Sequence, residues 1–254
     1  MRPRKRFGQH FLKDSTIIEK IISSIRPKRE DQLVEIGPGL GALTFSLLPL
    51  LDKLDVVELD RDLIPILKQK SQIFGQLCIH QTDALGFDFT QLTHVPHSLR
   101  VVGNLPYNIS TPLLFHLLTQ LAAIKDMHFM LQKEVVDRIA APAGSRVYGR
   151  LSVMIQYHCE VQVLFDVPAQ AFQPAPRVMS AVLRLTPRQP LVLAKDLSQF
   201  SEVVKLAFNQ RRKMLQNSLG SLLAIHALQA LDINPQARPE QISVDDFVRI
   251  SNSF

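Results

Sequence analysis

Val101-Val102-Gly103-Asn104-Leu105-Pro106-Tyr107-Asn108-Ile109-Ser110 passes from an apolar run into an amide, a proline and an aromatic. Leu99 to Gly103 has the composition of a short buried strand. Thr111-Pro112, followed by Leu113, Leu114, Leu117, Leu118 and Leu121, predicts a capped helix with proline at its first position. Asn104 to Tyr107 therefore falls in a strand-to-helix loop. Such loops lie at the carboxyl edge of an open α/β sheet, where ligands bind in doubly wound folds. The Asn104 side-chain oxygen and the Leu105 carbonyl, which Pro106 helps to hold away from helical geometry, both suit the hydrogens of an NH2 group. Tyr107 offers a flat face for a base. Taken alone, Asn-Leu-Pro-Tyr-Asn reads equally well as a turn, because asparagine and proline are common turn formers.

Working outward, Gln32 to Ile36 predicts a strand, and Gly37-Pro38-Gly39-Leu40-Gly41 opens a helix through Leu43, Leu47 and Leu48. Glycines at this junction let the backbone approach a ligand, and a helix start presents unpaired N–H groups. The spacing departs from G-x-G-x-x-G, since the third glycine comes one residue early. The next strand, Leu54 to Glu58, ends on an acid about twenty residues after the loop, the position from which a carboxylate reaches ribose hydroxyls; a solvated strand-end charge is the plainer alternative. Asp60 reads as a helix cap. Leu77 to His80 predicts a third strand, with Asp83 in the loop after it, placed to accept from an adenine amino group. Gly37, Glu58, Asp83 and Asn104 each follow a predicted strand, so all four are expected on one edge of the sheet.

Before this core, Thr16 and Glu19 have the spacing of a capping box ahead of Ile17, Ile18, Ile21, Ile22 and Ile25. After it come a strand at Met127 to Leu131, a helix through Val135, Val136 and Ile139, and closing strands at Val161 to Val167 and Val178 to Leu185. Between the closing strands, Pro168 to Pro176 is rich in proline and therefore stiff. That stiffness makes Phe172 a candidate fixed platform, although a phenylalanine under a loop is ordinarily core. Past Pro190, Phe200, Val203, Val204, Ala207 and Phe208 keep helical spacing, and segments near Leu222 and Phe247 also read as helical.

The chain's 254 residues suffice for one α/β domain, 1–187, and a small helical one, 188–254. A hydrophobic content of 46% and a charged content of 20% exclude general disorder, and no apolar run has bilayer-spanning length. The polar start after Met1 lacks a signal-peptide core, so a cytoplasmic location is expected. Cys78 and Cys159 fit no metal or disulfide spacing and are expected as buried thiols, with no metal site. A net charge of +6 favours a polyanionic partner. Arg4, Lys5 and Arg6 form one basic cluster and Arg211, Arg212 and Lys213 another.

The pattern at Asn104 to Tyr107 resembles the (Asp/Asn/Ser)-Pro-Pro-(Tyr/Phe) loop of methyltransferases acting on exocyclic amines or amide nitrogens. Several segments extend the resemblance: Gly8-Gln9-His10-Phe11-Leu12, Glu35 to Gly41, Val57-Glu58-Leu59-Asp60, Asp83-Ala84-Leu85, Gly103 to Ser110, Gln132-Lys133-Glu134, Tyr148 to Ser152 and Phe172 to Ser180. Together they resemble the bacterial small-subunit (16S) ribosomal RNA adenine N6,N6-dimethyltransferase family. The resemblance implies a class I, Rossmann-like domain with a mostly parallel seven-stranded sheet, a small all-α carboxyl-terminal domain, and S-adenosyl-L-methionine as cofactor. It implies that His10, Leu12, Gly37, Gly39, Glu58, Asp83 and Asn104 bind the cofactor. Asn104, Leu105, Pro106, Tyr107 and Phe172 would receive the adenine, with Tyr107 and Phe172 stacking on it, and the two basic clusters would contact RNA phosphates. The expected substrate is a pair of adjacent adenosines in a hairpin near the RNA 3′ end, within a 30S precursor and acted on by a monomer. Three alternatives stay open: a large-subunit methyltransferase of the macrolide-resistance type, a mainly non-catalytic ribosome-assembly factor, and a dinucleotide-dependent dehydrogenase.

Overall fold

A computed structural model describes residues 10–254 of the chain. Arg4, Lys5 and Arg6 lie outside the described residues. In chain order the elements are β1 (Phe11–Leu12), α1 (Ser15–Ile25), β2 (Gln32–Ile36), α2 (Thr44–Leu47), β3 (Lys53–Glu58), α3 (Ile64–Ser71), β4 (Gln76–Gln81), β5 (Leu99–Asn104), α4 (Ser110–Leu118), β6 (Ile124–Gln132), α5 (Lys133–Ala140), α6 (Arg150–His158), β7 (Cys159–Val167), β8 (Phe172–Gln173), β9 (Ser180–Pro187), α7 (Leu197–Asn209), α8 (Leu215–Ser218), α9 (Ile225–Ala230) and α10 (Val244–Ser251). These fall into two compact units, Met1–Val136 with Gln162–Pro187, and Asp137–Val161 with Arg188–Phe254.

Seven strands of the first unit's sheet run in the order β4-β3-β2-β5-β6-β9-β7, with β2 to β6 parallel and β9 antiparallel to β6. The expected mostly parallel seven-stranded sheet is therefore present. Its inner strands are apolar on both faces, as burial on both sides requires: Leu33, Val34 and Ile36 of β2 and Val101 and Val102 of β5 are all buried. Strand order reverses between β2 and β5, which brings the loops after those two strands together.

Several boundaries differ from the sequence expectations. Helix α1 is capped by Asp14, whose carboxylate accepts the Ile17 N–H at 3.2 Å, and not by the Thr16 and Glu19 pair. After the glycine loop, regular helix is confined to Thr44–Leu47, because the loop keeps turning through Gly41 and Pro49 tightens the exit into a 3-10 turn. Helix α4 begins at Ser110, ahead of Pro112, and ends before Leu121. Leu222 lies in a turn between α8 and α9. Cys159 is buried, but Cys78 is half-exposed because β4 is the outermost strand. Beside Cys78, Asp55 and His80 bring potential metal-ligating atoms within 4.8 Å of one another, and Asp55 already pairs with His80 Nε2 at 2.7 Å and Lys53 Nζ at 2.9 Å.

The second unit is helical around Tyr148, Phe200, Val203, Val204, Phe247 and Val248, all buried. It takes in Asp137–Val161 because rings of that segment pack on α7: Tyr157 meets Phe200 at 4.6 Å and Tyr148 meets Phe208 at 6.1 Å. Among the described residues, no helix is long and apolar enough to cross a membrane.

A buried charge cluster ties the first unit together. Arg100 of β5 donates to Asp31 at 2.7 Å, to Asp126 of β6 at 2.8 Å and to the Ile25 carbonyl at the end of α1 at 2.7 Å. Burial alone would raise the Asp31 carboxyl, but the Lys28 amide and the Arg100 guanidinium hold it below its ordinary value. Such a group stabilises the fold fully above the ordinary carboxylate range and loses that contribution as pH falls through the lower folded value. Removing the guanidinium leaves Asp126 without its main partner and Asp31 with only the Lys28 amide and Lys125, 3.6 Å away. Arg100→Ala is therefore expected to cost about 3–5 kcal/mol in urea unfolding at pH 7. A loss under 1 kcal/mol would contradict this assignment.

Candidate active site

Where the β2 and β5 loops meet, the first unit opens a cavity of about 580 Å³, within the range of roughly 300–1,000 Å³ for small-molecule sites. It is lined by His10, Leu12, Gly37, Gly39, Glu58, Asp83, Asn104, Leu105, Pro106 and Tyr107, so the structure brings these candidates to one place. Phe172 is the exception. Strand β1 pairs antiparallel with β8 in the register Phe11↔Gln173 and Leu12↔Phe172. Alternation then turns Phe172 inward beside Leu12, where it is 2% exposed in the main apolar core, while Gln173 faces the cavity. The proline-rich segment thus fixes Phe172 as packing beneath the loop, and the stacking platform expected there is not present.

Gly37, Gly39 and Gly41 all have positive φ, at 67°, 59° and 87°. At Gly41 a Cβ would run into the Phe45 ring, whereas at Gly37 it would make only ordinary contact, 4.0 Å from both the Asn104 carbonyl and the Pro106 ring, so there the positive φ is what favours glycine. The Gly37 N–H donates to the Val57 carbonyl at 2.9 Å. The Gly39 N–H donates to Glu58 Oε2 at 3.2 Å and the Asp60 N–H to Glu58 Oε1 at 2.8 Å, so the Glu58 carboxylate is held at the cavity wall. Burial raises its pKa, partly offset by these amide donors. Asp83 is exposed at the cavity, its Oδ1 accepting the Leu85 N–H at 2.9 Å.

Asn104 ends β5, and its Nδ2 donates to the His10 carbonyl at 3.1 Å. That bond fixes the amide, leaving Oδ1 as the end available to a ligand. The Leu105 N–H donates to the Met130 carbonyl at 3.1 Å. The carbonyls of Pro106 and Tyr107 are taken by Ile109 N–H and Ser110 Oγ, whereas the Leu105 carbonyl has no such partner among the described residues. The Tyr107 ring stacks on His10, with centroids 5.6 Å apart and planes at 27°, and its hydroxyl lies 2.9 Å from Ser180 Oγ. Asn104, Leu105 and Tyr107 therefore line one cavity with two acceptors not engaged by the described residues and an aromatic ring held by His10 and Ser180.

Glu35 also lines the cavity, and the candidate set omitted it. Its signal was a single acid in the apolar strand Gln32–Ile36, immediately before the glycine loop. Thr44 Oγ1 donates to its Oε2 at 2.6 Å. Burial pushes its pKa up to about 8, the nearby Glu58 charge adding to the rise, so it is neutral at pH 7. In the second unit, Arg212 and Lys213 are exposed, while Arg211 is half-buried and committed to Glu240 at 2.9 Å and to the Arg146 carbonyl.

Because the folded value for Glu35 lies above its ordinary 4.5, its contribution to stability is whole below about 4.5 and is lost progressively as pH rises to about 8. Glu35→Gln keeps a neutral acceptor for Thr44. It is expected to flatten the fall in Tm between those limits, as read by scanning calorimetry. Parallel Tm profiles for the two proteins would refute the burial argument.

The family model described as ribosomal RNA adenine dimethylase matches residues 1–254. The ribosomal RNA small subunit methyltransferase A of Coxiella burnetii is 57% identical over 251 residues, covering 98% of this chain and 96% of that protein. The protein of the same name from a Marinomonas species is 54% identical over 250 residues, covering 98% and 94%. Among solved structures, a dimethyladenosine transferase from Plasmodium falciparum superposes with a TM-score of 0.81 at 25% identity, covering 95% of this chain and 96% of that one. The 23S rRNA methyltransferase ErmE shares the fold, with a TM-score of 0.74 at 24% identity over 96% and 98% of the two chains. With its whole length matched, the chain belongs to the ribosomal RNA adenine dimethylase family.

Proposed function

We propose that this chain transfers methyl groups from S-adenosyl-L-methionine to N6 of two adjacent adenosines in a hairpin near the 3′ end of 16S ribosomal RNA, acting as a monomer in the cytoplasm on a 30S precursor. The observation that carries this reading is the Asn104 amide, pinned by its Nδ2 to His10 so that Oδ1 is left for a ligand in the cavity that Leu105 and Tyr107 also line. Identity of 54–57% to small-subunit enzymes favours that substrate over the large-subunit alternative. Residues 1–187 hold the transfer site in this reading, and 188–254 form a helical domain with which Asp137–Val161 packs. Of the expected phosphate-contacting set, Arg212 and Lys213 are exposed, while Arg211 is engaged by Glu240.

The cavity's donor and acceptor set fits the cofactor. Glu58, already oriented by two amides, has lone pairs left for the ribose hydroxyls, and Asp83 stands where an adenine amino group donates. Gly37, lacking a Cβ, leaves the inter-loop space open. When bound, S-adenosylmethionine supplies an electrophilic methyl carbon on a positively charged sulfur.

The chain's own residues then act on the base. An adenine N6 lone pair is delocalised into the ring and is a poor nucleophile. Hydrogen bonds from its two protons to Asn104 Oδ1 and the Leu105 carbonyl favour the pyramidal nitrogen of the transition state. The leaving N6 proton passes to water, so no side chain must act as a base. Stacking on Tyr107 offsets the cost of taking the adenine out of its hairpin by about 1–3 kcal/mol.

Methylation of isolated 30S and 50S particles with labelled cofactor, followed by primer extension, tests the assignment: label in 30S at two adjacent adenosines supports it, and label in 50S alone overturns it. Asn104→Ala is expected to lower turnover by about 100-fold or more even at saturating cofactor. Glu58→Gln, whose NH2 would face one of the two N–H donors while its oxygen accepts from the other, should instead weaken cofactor binding by about tenfold or more in calorimetry.

A further inference from the structure

Tyr107 is held at two places, by His10 and by Ser180. One ring face rests on His10, which is itself anchored by Nδ1 to the Pro174 carbonyl at 2.8 Å. At the far end its hydroxyl meets Ser180 Oγ at 2.9 Å. Ser180 is fully buried and is the first residue of β9, opposite Gln132 in the β6 ladder, so its position is set by the sheet. The loop carrying Tyr107 has no such ladder. The hydroxyl pair is thus the link that refers the ring to the rigid core.

We infer that Ser180 is a positioning residue: by tethering the Tyr107 hydroxyl it fixes the stacking face, and this fixes whether a singly methylated adenine goes on to accept a second methyl. The inference rests on the function proposed above. In the first transfer N6 carries two hydrogens, one for Asn104 Oδ1 and one for the Leu105 carbonyl. In the second, one hydrogen has been replaced by a methyl, so one of these orienting bonds is gone. A new N6–carbon bond then forms from the nitrogen lone pair, the carbon–sulfur bond of the donor breaks with its electron pair remaining on the thioether, and the last N6 proton passes to water. With a single hydrogen bond the ring plane is set mainly by stacking. An error in the Tyr107 ring therefore harms the second transfer more than the first.

Ser180→Ala and Tyr107→Phe remove the same hydrogen bond from opposite ends, and neither removes the ring. Each should slow the second transfer by roughly fivefold to tenfold relative to the first, so that N6-monomethyladenosine accumulates in nuclease digests of 30S RNA. Because the interaction is shared, the double variant should be no worse than either single one. Ser180→Thr should restore the dimethylated product, and cofactor affinity in calorimetry should be unchanged throughout. A readout independent of methyl transfer is available, since the chain has three tyrosines and Tyr107→Phe identifies the Tyr107 ring signals in a tyrosine-labelled NMR spectrum. Ser180→Ala should speed flipping of that ring. An unchanged product ratio, or unchanged ring dynamics in Ser180→Ala, overturns the inference. Failure of the wild type to methylate 30S at all, with faster ring flipping in Ser180→Ala, would instead remove the substrate assignment and leave the tether standing.

Discussion

The reversal of strand order between β2 and β5 is the constraint from which the rest of the site follows. Helical crossovers leave the sheet in opposite directions from this pair, which opens a crevice above their carboxyl ends. Two loops then face each other at close range. One has given up side chains, with Gly37 and Gly39 at positive φ; the other concentrates polar and aromatic groups from Asn104 to Tyr107. A Cβ on Gly37 would lie 4.0 Å from both the Asn104 carbonyl and the Pro106 ring, so the two loops flank the same space. The Arg100 cluster lies in the same strand as Asn104 and joins it to α1 and β6, so the strand that presents the amide is braced by buried charge.

A chain segment far away in sequence completes the corner. The short β1 strand is a ladder of two residues with β8, and alone it would be marginal. It is held because Leu12 enters the core beside Phe172 and because the Lys13 N–H donates to the Ala171 carbonyl at 2.9 Å. Once placed, it brings the His10 carbonyl to Asn104 Nδ2 and the His10 ring to Tyr107. The same core packing that takes Phe172 away from the cavity is therefore what delivers His10 to it.

Local signals in the sequence carried the architecture well, and pairwise consequences poorly. Apolar runs bounded by polar loops located every strand of the large sheet, and the glycine loop, Glu58, Asp83 and Asn104 were recognisable because each follows such a run. Phe172 was misassigned because its facing depends on register with Leu12, a partner about 160 residues away that no spacing rule reaches. Asp14 was passed over as a cap because Thr16 and Glu19 satisfy the usual pattern two residues later. Half-exposure of Cys78 depends on β4 being outermost, a property of strand order and not of composition. Arg211 looked like its neighbours until Glu240, distant in sequence, was found to hold it.

Glu35 and Glu58 show how neighbouring acids can be given different charges. Both are buried, and the Glu58 charge adds to the rise at Glu35. Glu58 has two backbone N–H donors on its oxygens, which favour the anion, whereas the donor to Glu35 is a single hydroxyl. Burial therefore wins at Glu35 and leaves it neutral at pH 7, while more of the cost of charge is recovered at Glu58. A second negative charge would have to be buried against the first, with Lys13 the one lysine or arginine among the described residues lining the cavity. Keeping Glu35 protonated lets the wall carry two carboxyl groups as hydrogen-bonding partners while confining the charge to the one whose oxygens are already oriented by the glycine loop.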